Sequence, residues 1–411
     1  MDVVASYGND GRTGEHATRG LAGRPAVAWH APTSGPVVAA PLLVGGLLVV
    51  AAGGRVYALD AGTGVERWLH EPFDDLHLPY SMPPFVTTPV AWRDWLILTE
   101  TIFENVYVYD AVSGAVVRTL PGDGCATVVG DMLLLDGYQH GARAFQLPDW
   151  QPLWTNDNLG SLAANPALTP DGIAYAAQGF EAQHSYGGVT AFAVDTGTKV
   201  FELADRTERC PLATDGGHQA DWISLMPRHV VFAEGLVWTV ATRDHDGWMT
   251  TEILGLDPST GRTLWTFGLG LDAGPDAEPV VPAASVSVAG ATVYFATEEA
   301  GGAERHPNAR AAVVCAVDLA TRAVRWSAAV VGTPIGSPVL VSDVVYQATT
   351  MRTVHALERR NGAHRWSIDA GAPIPRSPDT GYHEDQQTII PANGMLYVRT
   401  ANGIVALGEA Q

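Results

Sequence analysis

Short apolar runs separated by turn residues follow one another along the whole chain. In GGRVYALDAGTGVERW (53–68), the alternating run Arg55–Leu59 leads into a turn rich in Asp, Gly and Thr, and a second run ends at Trp68. Runs of this length bounded by Gly and Asp are typical of β-strands joined in hairpins. The pattern therefore predicts an antiparallel hairpin at this position.

The spacing between the acidic turn residue and the tryptophan recurs. An acidic residue stands eight positions before a tryptophan in three further pairs: Asp257 and Trp265, Asp318 and Trp326, Glu358 and Trp366. Looser copies surround Asp110, Trp154 and Asp195, and an incomplete copy, NGIVALGEAQ, lies at 402–411. A recurrence of roughly 50 residues with turn residues in register indicates a repeat architecture.

Each repeat contains four short strands. The first repeat shows them as VVAAPLLVG, GLLVVAAG, GRVYALD and GVERWLH, joined by Gly or Asp turns. Such repeats close into a ring in β-propellers, where they form the blades. Inner strands are predicted near Pro41, Pro89, Val128, Pro166, Val230, Val286, Pro338 and Pro391. We therefore predict an all-β fold, an eight-bladed β-propeller of four-stranded antiparallel blades, with each repeat tryptophan wedged between neighbouring blades.

The two ends of the chain complement each other. The last repeat lacks an outermost strand, whereas RPAVAWHAP, at 24–32, supplies a spare strand with Trp29. We predict that residues 25–31 pair with the C-terminal blade and close the ring. The chain is then a single domain, 1–411, with a lead-in at 1–24 and a closing strand at 25–35. The blades are predicted at 36–72, 83–121, 124–156, 160–203, 220–268, 281–328, 334–369 and 385–411, the last completed by 25–31.

The repeat resembles that of the pyrroloquinoline-quinone-like (quinoprotein alcohol dehydrogenase-like) β-propeller family. The resemblance is carried by VYALDAGTGVERW and its copies, by GSP at 336–338 and by the lead-in YGNDGRTG at 7–14. It implies the propeller fold over nearly the whole chain. Its members include dehydrogenases and non-enzymatic assembly factors, so the resemblance alone does not decide function.

Composition excludes several classes of function. The chain has 411 residues, 46% of them hydrophobic and 17% charged, and a net charge of −20. That charge disfavours binding to nucleic acid or to an anionic membrane surface. Lys199 is the only lysine, which excludes lysine-based covalent catalysis almost everywhere. No stretch reaches the length of a membrane-spanning helix, and the start lacks the pattern of a signal peptide. We expect a cytoplasmic protein as numbered, or an exported one if a leader was removed.

Candidate chemistry gathers on one face. In a propeller, the loops before each inner strand and between the second and third strands emerge together; we call this the long-loop face, and the opposite one the short-turn face. Its long loops are predicted at 70–86, 179–188, 204–222, 242–249, 298–311 and 370–388. Histidines fall in the loops of this face at His77, His140, His184, His218, His245, His306 and His383. Length and polarity on one face indicate a working surface.

Three clusters suggest acid–base chemistry, because histidine beside a carboxylate can act as a general base near neutral pH. They are GGHQADWI, TRDHDGWM and RSPDTGYHEDQQ. The catalytic candidates are His218, Asp221, His245, Asp246 and His383. The substrate-binding candidates are Trp222, Arg243, Trp248, Arg376, Tyr382, His77, His140 and His184.

The sequence does not predict a cofactor. The resemblance implies a quinone clamped by a disulfide between adjacent cysteines, with a calcium ion held by Glu, Asn and Asp. The three cysteines, Cys125, Cys210 and Cys315, are far apart, and Cys315 occupies the third-strand position of Tyr57, so we expect it to be buried away from the axis. No haem-attachment motif occurs. A metal held by these histidines and carboxylates stays an alternative, since no ligand spacing is diagnostic.

These observations favour a small-molecule-binding propeller with a pocket on the long-loop face. The expected activity is cofactor-independent acid–base catalysis, of isomerase, cyclase or lyase type, in a specialised bacterial pathway. One alternative is a non-enzymatic protein scaffold resembling the outer-membrane barrel-assembly propeller, with its protein partner on the same face. A second alternative is a quinone-dependent dehydrogenase with a degenerate cofactor site.

Overall fold

The structure is a computed structural model. It describes residues 3–4, 7–21, 23–72, 87–100, 103–122, 124–137, 141–159, 165–178, 188–204, 222–225, 230–245, 248–269, 285–298, 311–375 and 387–409.

Strands dominate the first half of the described chain. Three N-terminal strands are β1 (Val3–Val4), β2 (Glu15–His16) and β3 (Pro25–Pro32). Blade one contains β4 (Leu42–Val44), β5 (Leu47–Ala52), β6 (Arg55–Asp60) and β7 (Glu66–His70). Blade two contains β8 (Val90–Trp92), β9 (Trp95–Glu100), β10 (Asn105–Asp110) and β11 (Val116–Pro121). Blade three contains β12 (Ala126–Val129), β13 (Met132–Gly137), β14 (Gly141–Gln146) and β15 (Gln151–Asn156), followed by a 3-10 helix (Asp157–Leu159). Blade four contains β16 (Ala167–Leu168), β17 (Ile173–Gln178), β18 (Gly188–Ala193) and β19 (Lys199–Ala204).

The second half continues the pattern. Blade five contains β20 (Trp222–Leu225), β21 (Val231–Ala233), β22 (Leu236–His245), β23 (Trp248–Leu256) and β24 (Thr263–Gly268). Blade six contains β25 (Ser287–Val288), β26 (Thr292–Glu298), β27 (Ala311–Asp318) and β28 (Val324–Val331). Blade seven contains β29 (Pro334–Val341), β30 (Val344–Thr349), β31 (Thr353–Glu358) and β32 (His364–Asp369). Blade eight contains β33 (Ile389–Ala392), β34 (Met395–Thr400) and β35 (Gly403–Glu409).

The predicted eight-bladed β-propeller is confirmed. Eight sheets follow one another along the chain, and within each blade the consecutive strands pair antiparallel; β1, β2 and β3 join the sheets of blades one, seven and eight. First strands of successive blades contact each other, as β16 does with β21 and β21 with β25, so they line the axis. The apolar core lies in layers between neighbouring blades; Leu48 and Val50 of blade one, for example, pack with Ile390 of blade eight.

The ring closes as predicted through the N-terminal strand. β3 pairs antiparallel with β35 and becomes the fourth strand of blade eight, with Val27 opposite Leu407 and Trp29 opposite Ala406. The third and fourth strands of this blade thus come from opposite ends of the chain, and no turn joins them. In other blades the equivalent tryptophan donates its indole N–H to a turn of this kind on the next blade. Trp366 of blade seven meets no such turn, and its buried indole N–H has no acceptor among the described residues.

Tryptophans connect most blades to the next, as the wedge prediction expects. Trp68 packs against the Asp-turn of blade two and donates its indole N–H to Ala111 O at 3.0 Å. Gly114 in that turn has φ +71, and a Cβ there would stand 2.5 Å from the Trp68 ring. The same arrangement joins Trp29 to Ala61 and Gly64, Trp154 to Val194 and Gly197, and Trp326 to Arg359 and Gly362. Glycine leaves room for the ring in these four turns.

The acidic residue of the repeat shapes this turn. Asp60 Oδ1 accepts hydrogen bonds from Gly62 N, Thr63 N and Thr63 Oγ1 at 2.9–3.1 Å. Hydrogen bonds from the side chain and backbone of Ser259 likewise lower the pKa of Asp257 to about 2. The Asp-x-x-Thr-Gly sequence thus folds locally into the turn that receives the tryptophan.

The seam between blades two and three departs from the rule. Arg118 of β11 pairs with Val108, at the register position that tryptophan holds elsewhere. Its guanidinium stacks over the ring of Trp150 on the next blade, 5.4 Å from the centroid. In this seam the aromatic ring belongs to the turn of blade three, and a cation occupies the strand position that tryptophan holds in other blades.

Candidate functional site

Residues 7–21, which we call the axial segment, cross the centre of the ring. Four of its carbonyl oxygens accept hydrogen bonds from the inner strands of blades four, five, six and seven. The pairs are Leu168 N to Asp10 O (2.7 Å), Phe232 N to Gly11 O (2.8 Å), Val288 N to Thr13 O (2.9 Å) and Leu340 N to Gly14 O (2.9 Å). Upstream of the segment, β1 pairs with β4 of blade one. A chain that reaches four blades within five residues lies across the axis.

These contacts stand at the short-turn end of the axis. Leu168 and Val288 are the last residues of their inner strands, and Phe232 and Leu340 the last but one. Inner strands run from the long-loop face to the short-turn face, so the axial segment closes the short-turn end. A ligand on the axis would approach from the long-loop face.

Two glycines allow the backbone to come so close. A Cβ on Gly11 would lie 2.4 Å from Phe232 O, which belongs to the backbone of blade five. Gly14 has φ +75, and a Cβ there would lie 2.2 Å from Ser287 Oγ. The YGNDGRTG sequence therefore fits this path because it carries glycine where the backbone touches a neighbouring strand.

Buried polar side chains of the axial segment form a floor at this end. The Arg12 guanidinium lies 4.4 Å from the centroid of the Tyr7 ring and donates from Nη1 to Asn165 O at 2.6 Å. Tyr7 is 1% and Arg12 5% exposed. Asn165 in turn donates from Nδ2 to Thr127 Oγ1 at 3.1 Å, linking the floor to blade three. Asn165 Oδ1 is buried and has no partner among the described residues.

His16 belongs to the same floor and is neutral. Gln387 Oε1 accepts from Tyr7 N, so the Gln387 amide nitrogen donates to His16 Nε2, at 2.8 Å. Burial lowers the pKa of His16 from 6.5 to about 4, because the imidazolium would lose its hydration. His16 Nδ1, which then carries the proton, has no acceptor among the described residues.

His16 should make stability depend on pH. The unfolded chain takes up a proton at this residue near pH 6.5, whereas the folded chain does so only near pH 4. Within that window each unit of pH decrease should lower the free energy of unfolding by about 1.4 kcal/mol, and the whole window by about 3 kcal/mol. Urea unfolding of the wild type and of His16→Gln at pH 7 and pH 5 checks this. Equal losses of stability in the two proteins would contradict it.

The sequence-predicted site residues lie mostly outside the described residues. This holds for His77, His140, His184, His218, Asp221, Asp246, Arg376, Tyr382 and His383. The backbones of Trp222, Arg243, His245 and Trp248 are described, without their side chains.

Those four backbones meet on blade five. β22 and β23 have ten and nine residues and extend beyond the usual second and third strands. His245 pairs with Trp248 at the tip, and β20 pairs with the same extension, Trp222 opposite Asp244 and Ile223 opposite Arg243. The extension stands at the long-loop end of the blade, since the second-to-third-strand connection lies there.

Sequence reasoning missed the floor residues Tyr7, Arg12, His16, Asn165 and Gln387. The available signal was the Gly-rich lead-in, which the repeat pattern does not explain. Polar residues on a buried axial segment carry no strand or helix period, so periodicity could not find them.

The cysteines do not form the clamp that the family resemblance implies. Cys125 is buried and Cys315 partly buried, and no disulfide joins them. Cys315 lies in the third strand of blade six, as predicted, and burial raises its pKa to about 11. Among the described residues no three His, Cys, Asp or Glu side chains group as metal ligands. Within the same residues, no helix has the length and apolar character needed to cross a membrane.

Comparison with known proteins agrees with the fold. The family model described as outer membrane protein assembly factor BamB, of the PQQ-like repeat type, matches residues 23–78 and 309–409, less than half of the chain. No curated protein sequence matches.

Solved structures of low sequence identity share the architecture. Quinohemoprotein alcohol dehydrogenase from Comamonas testosteroni is 14% identical with TM-score 0.66, covering 99% of this chain and 81% of that one. A europium-containing methanol dehydrogenase is 12% identical with TM-score 0.62, covering 98% and 90%. The computationally designed Ika8 protein is 13% identical with TM-score 0.59, covering 92% and 99%. At these identities the likeness shows the fold alone.

Proposed function

We propose that this eight-bladed propeller, whose repeats are similar to those of the pyrroloquinoline-quinone-like family, binds a small molecule on the long-loop face and transforms it by acid–base chemistry. The observation that carries the proposal is the axial segment, which closes the short-turn end of the axis. In this proposal the axis is open toward the long-loop face, and the buried polar side chains at its closed end suit a ligand site. The long loops at the other end then control access to it.

In this proposal the long-loop clusters carry the chemistry. His218, Asp221, His245, Asp246 and His383 exchange protons with the ligand. Arg243 or Arg376 anchors an anionic group, and Trp222 and Trp248 supply apolar walls. The convergence of the Trp222, Arg243, His245 and Trp248 backbones on one protruding hairpin supports this assignment.

The proposal includes no redox cofactor. Its basis is the separation of the three cysteines, which cannot form a disulfide between adjacent residues. We further propose a cytoplasmic location and a small-molecule substrate of an isomerase, cyclase or lyase reaction.

Replacement of His218, His245 and His383 by alanine together tests the proposal. A thermal-shift screen of small metabolites should find a compound that raises the melting temperature of the wild type, and the triple variant should lose that shift. Loss of a general acid or base should also lower turnover of the compound by about 100-fold or more. His30→Ala combined with His364→Ala, at two exposed outer-strand positions, is the control and should keep the shift. Unchanged binding and turnover in the triple variant would refute the acid–base site.

A scaffold function is the second candidate, favoured by the family match described as an assembly factor. Affinity purification of the full chain distinguishes it. Recovery of one protein in a stoichiometric amount, lost when residues of the β22–β23 extension are replaced, would support the scaffold. The dehydrogenase alternative has support from the fold alone.

A further inference from the structure

Arg143 is a charged side chain without a balancing anion among the described residues. It is the third residue of β14, and its Nε and Nη2 atoms are buried without any hydrogen-bond acceptor among the described residues. In the same described part of the chain it has no ion pair. The third guanidinium nitrogen, Nη1, is not among the buried atoms that lack a partner.

The surroundings of the buried nitrogens are apolar. A Cβ placed on Gly122 would lie 3.0 Å from Val106 Cγ2, 3.4 Å from Arg143 Nη2 and 3.6 Å from Leu135 Cδ1. Val106 and Leu135 are fully buried. A cation held among such groups without an anion is costly, and natural proteins pair or hydrate buried charges.

The fold does not require a cation here. In blades one to seven, one residue of the third strand pairs with the tryptophan position of the fourth strand, and a bulge follows it. In blade three that residue is Ala144, and Arg143 stands just before it. The same register position holds Tyr57 in blade one, Leu254 in blade five and Cys315 in blade six. The Tyr57 hydroxyl contacts Ser34 N at 2.9 Å and Ser34 Oγ at 3.0 Å, in the segment that leads to the next inner strand. By the same register the position of Ser34 corresponds in blade three to Asp123, which lies outside the described residues; Gly122, just before it, has no side chain.

The location favours contact with a solute. β14 begins at the second-to-third-strand connection, and Gly122 follows the end of β11, so both lie toward the long-loop face. Guanidinium presents several donors in a planar fork that matches carboxylate and phosphate oxygens. Because the chain carries a net charge of −20, an anion here would be held by short-range hydrogen bonds rather than by the overall field.

We propose that Arg143 binds a small anion, the phosphate or carboxylate group of a ligand, at the long-loop end of the seam between blades two and three. Gly122 leaves room for the guanidinium beside that group. The proposal does not depend on the acid–base function, since it concerns a different seam and a different side chain.

Thermal melting in sodium phosphate, sodium acetate and sodium chloride at equal ionic strength tests the site. The wild type should gain stability saturably with phosphate or acetate beyond the chloride baseline, and Arg143→Met should not. Stabilisation by phosphate alone identifies a phosphate group, and stabilisation by both salts includes a carboxylate. Arg118→Met is the matched control, because Arg118 lies in the same seam but stacks on Trp150, and it should keep the gain.

Arg143→Met gives a second measurement, in which the melting temperature is not expected to fall. In chloride, Arg143→Met should melt at the same or a higher temperature than the wild type, because it removes a partly buried cation whose Nε and Nη2 atoms have no acceptor among the described residues. Arg143→Lys keeps the charge without the fork and should bind phosphate about tenfold more weakly. An equal gain of wild type and Arg143→Met, or no gain of the wild type over chloride, would overturn the proposal.

Discussion

Deletion of residues 1–35 is expected to abolish cooperative folding of the entire ring. The deletion removes β3, which supplies the fourth strand of blade eight, and the axial segment, which ties four inner strands together. A domain is stable by only about 5–15 kcal/mol. Loss of a packed tryptophan such as Trp29 already costs about 3 kcal/mol, before the unpaired edge of β35 is counted. Circular dichroism melting of the truncated chain measures the effect.

A shorter deletion separates the two contributions. Removal of residues 1–24 keeps β3 and should leave a folded ring of reduced melting temperature. A synthetic peptide of residues 7–35 should restore part of the stability of the longer deletion. If the chain without residues 1–35 melted at the temperature of the full chain, both the closure and the role of the axial segment would be wrong.

Gly11→Ala is expected to lower the free energy of unfolding by about 1–3 kcal/mol, the range for overpacking against a rigid neighbour. The added Cβ would stand 2.4 Å from Phe232 O. That atom belongs to an inner strand and cannot rotate away, so the axial segment itself must move. The movement would weaken the hydrogen bond from Phe232 N to Gly11 O. Equilibrium unfolding in urea gives the difference.

Gly23→Ala provides the control within the same part of the chain. No atom lies within 4 Å of a Cβ at Gly23, so this substitution should change stability by less than about 0.5 kcal/mol. Equal effects of the two substitutions would mean that the axial segment does not pack against blade five as described.

The repeat pattern was sufficient to predict the ring, because the residues that define it are local. An acidic residue folds its own turn, and a tryptophan at fixed spacing reaches the next turn. Ring closure followed from the same pattern, since one spare strand and one incomplete blade remained. The axial segment could not be predicted in this way. Its contacts are made mainly by backbone atoms of Asp10, Gly11, Thr13 and Gly14, which leave no side-chain periodicity.

The same distinction between local pattern and distant contact applies to the candidate site. Histidines and carboxylates could be assigned to the long-loop face by counting strands, but loop paths decide whether His218 and His383 approach each other, and spacing does not encode those paths. The floor residues and Arg143 escaped notice for another reason. Each is a polar residue whose significance depends on burial, and burial of Tyr7 or Arg143 is set by strands far away in sequence.

The pairing of β3 with β35 also sets an order of events during synthesis. β3 (Pro25–Pro32) is synthesised long before its partner β35 (Gly403–Glu409). At about 5–20 residues per second, β3 waits tens of seconds while successive blades are added to an open arc. Throughout that interval β3 stays unpaired and the two end blades of the arc expose the apolar faces that pack together in the closed ring, and both features are prone to aggregate. A nascent chain of this design therefore depends on protection of its N-terminal strand until the last blade appears.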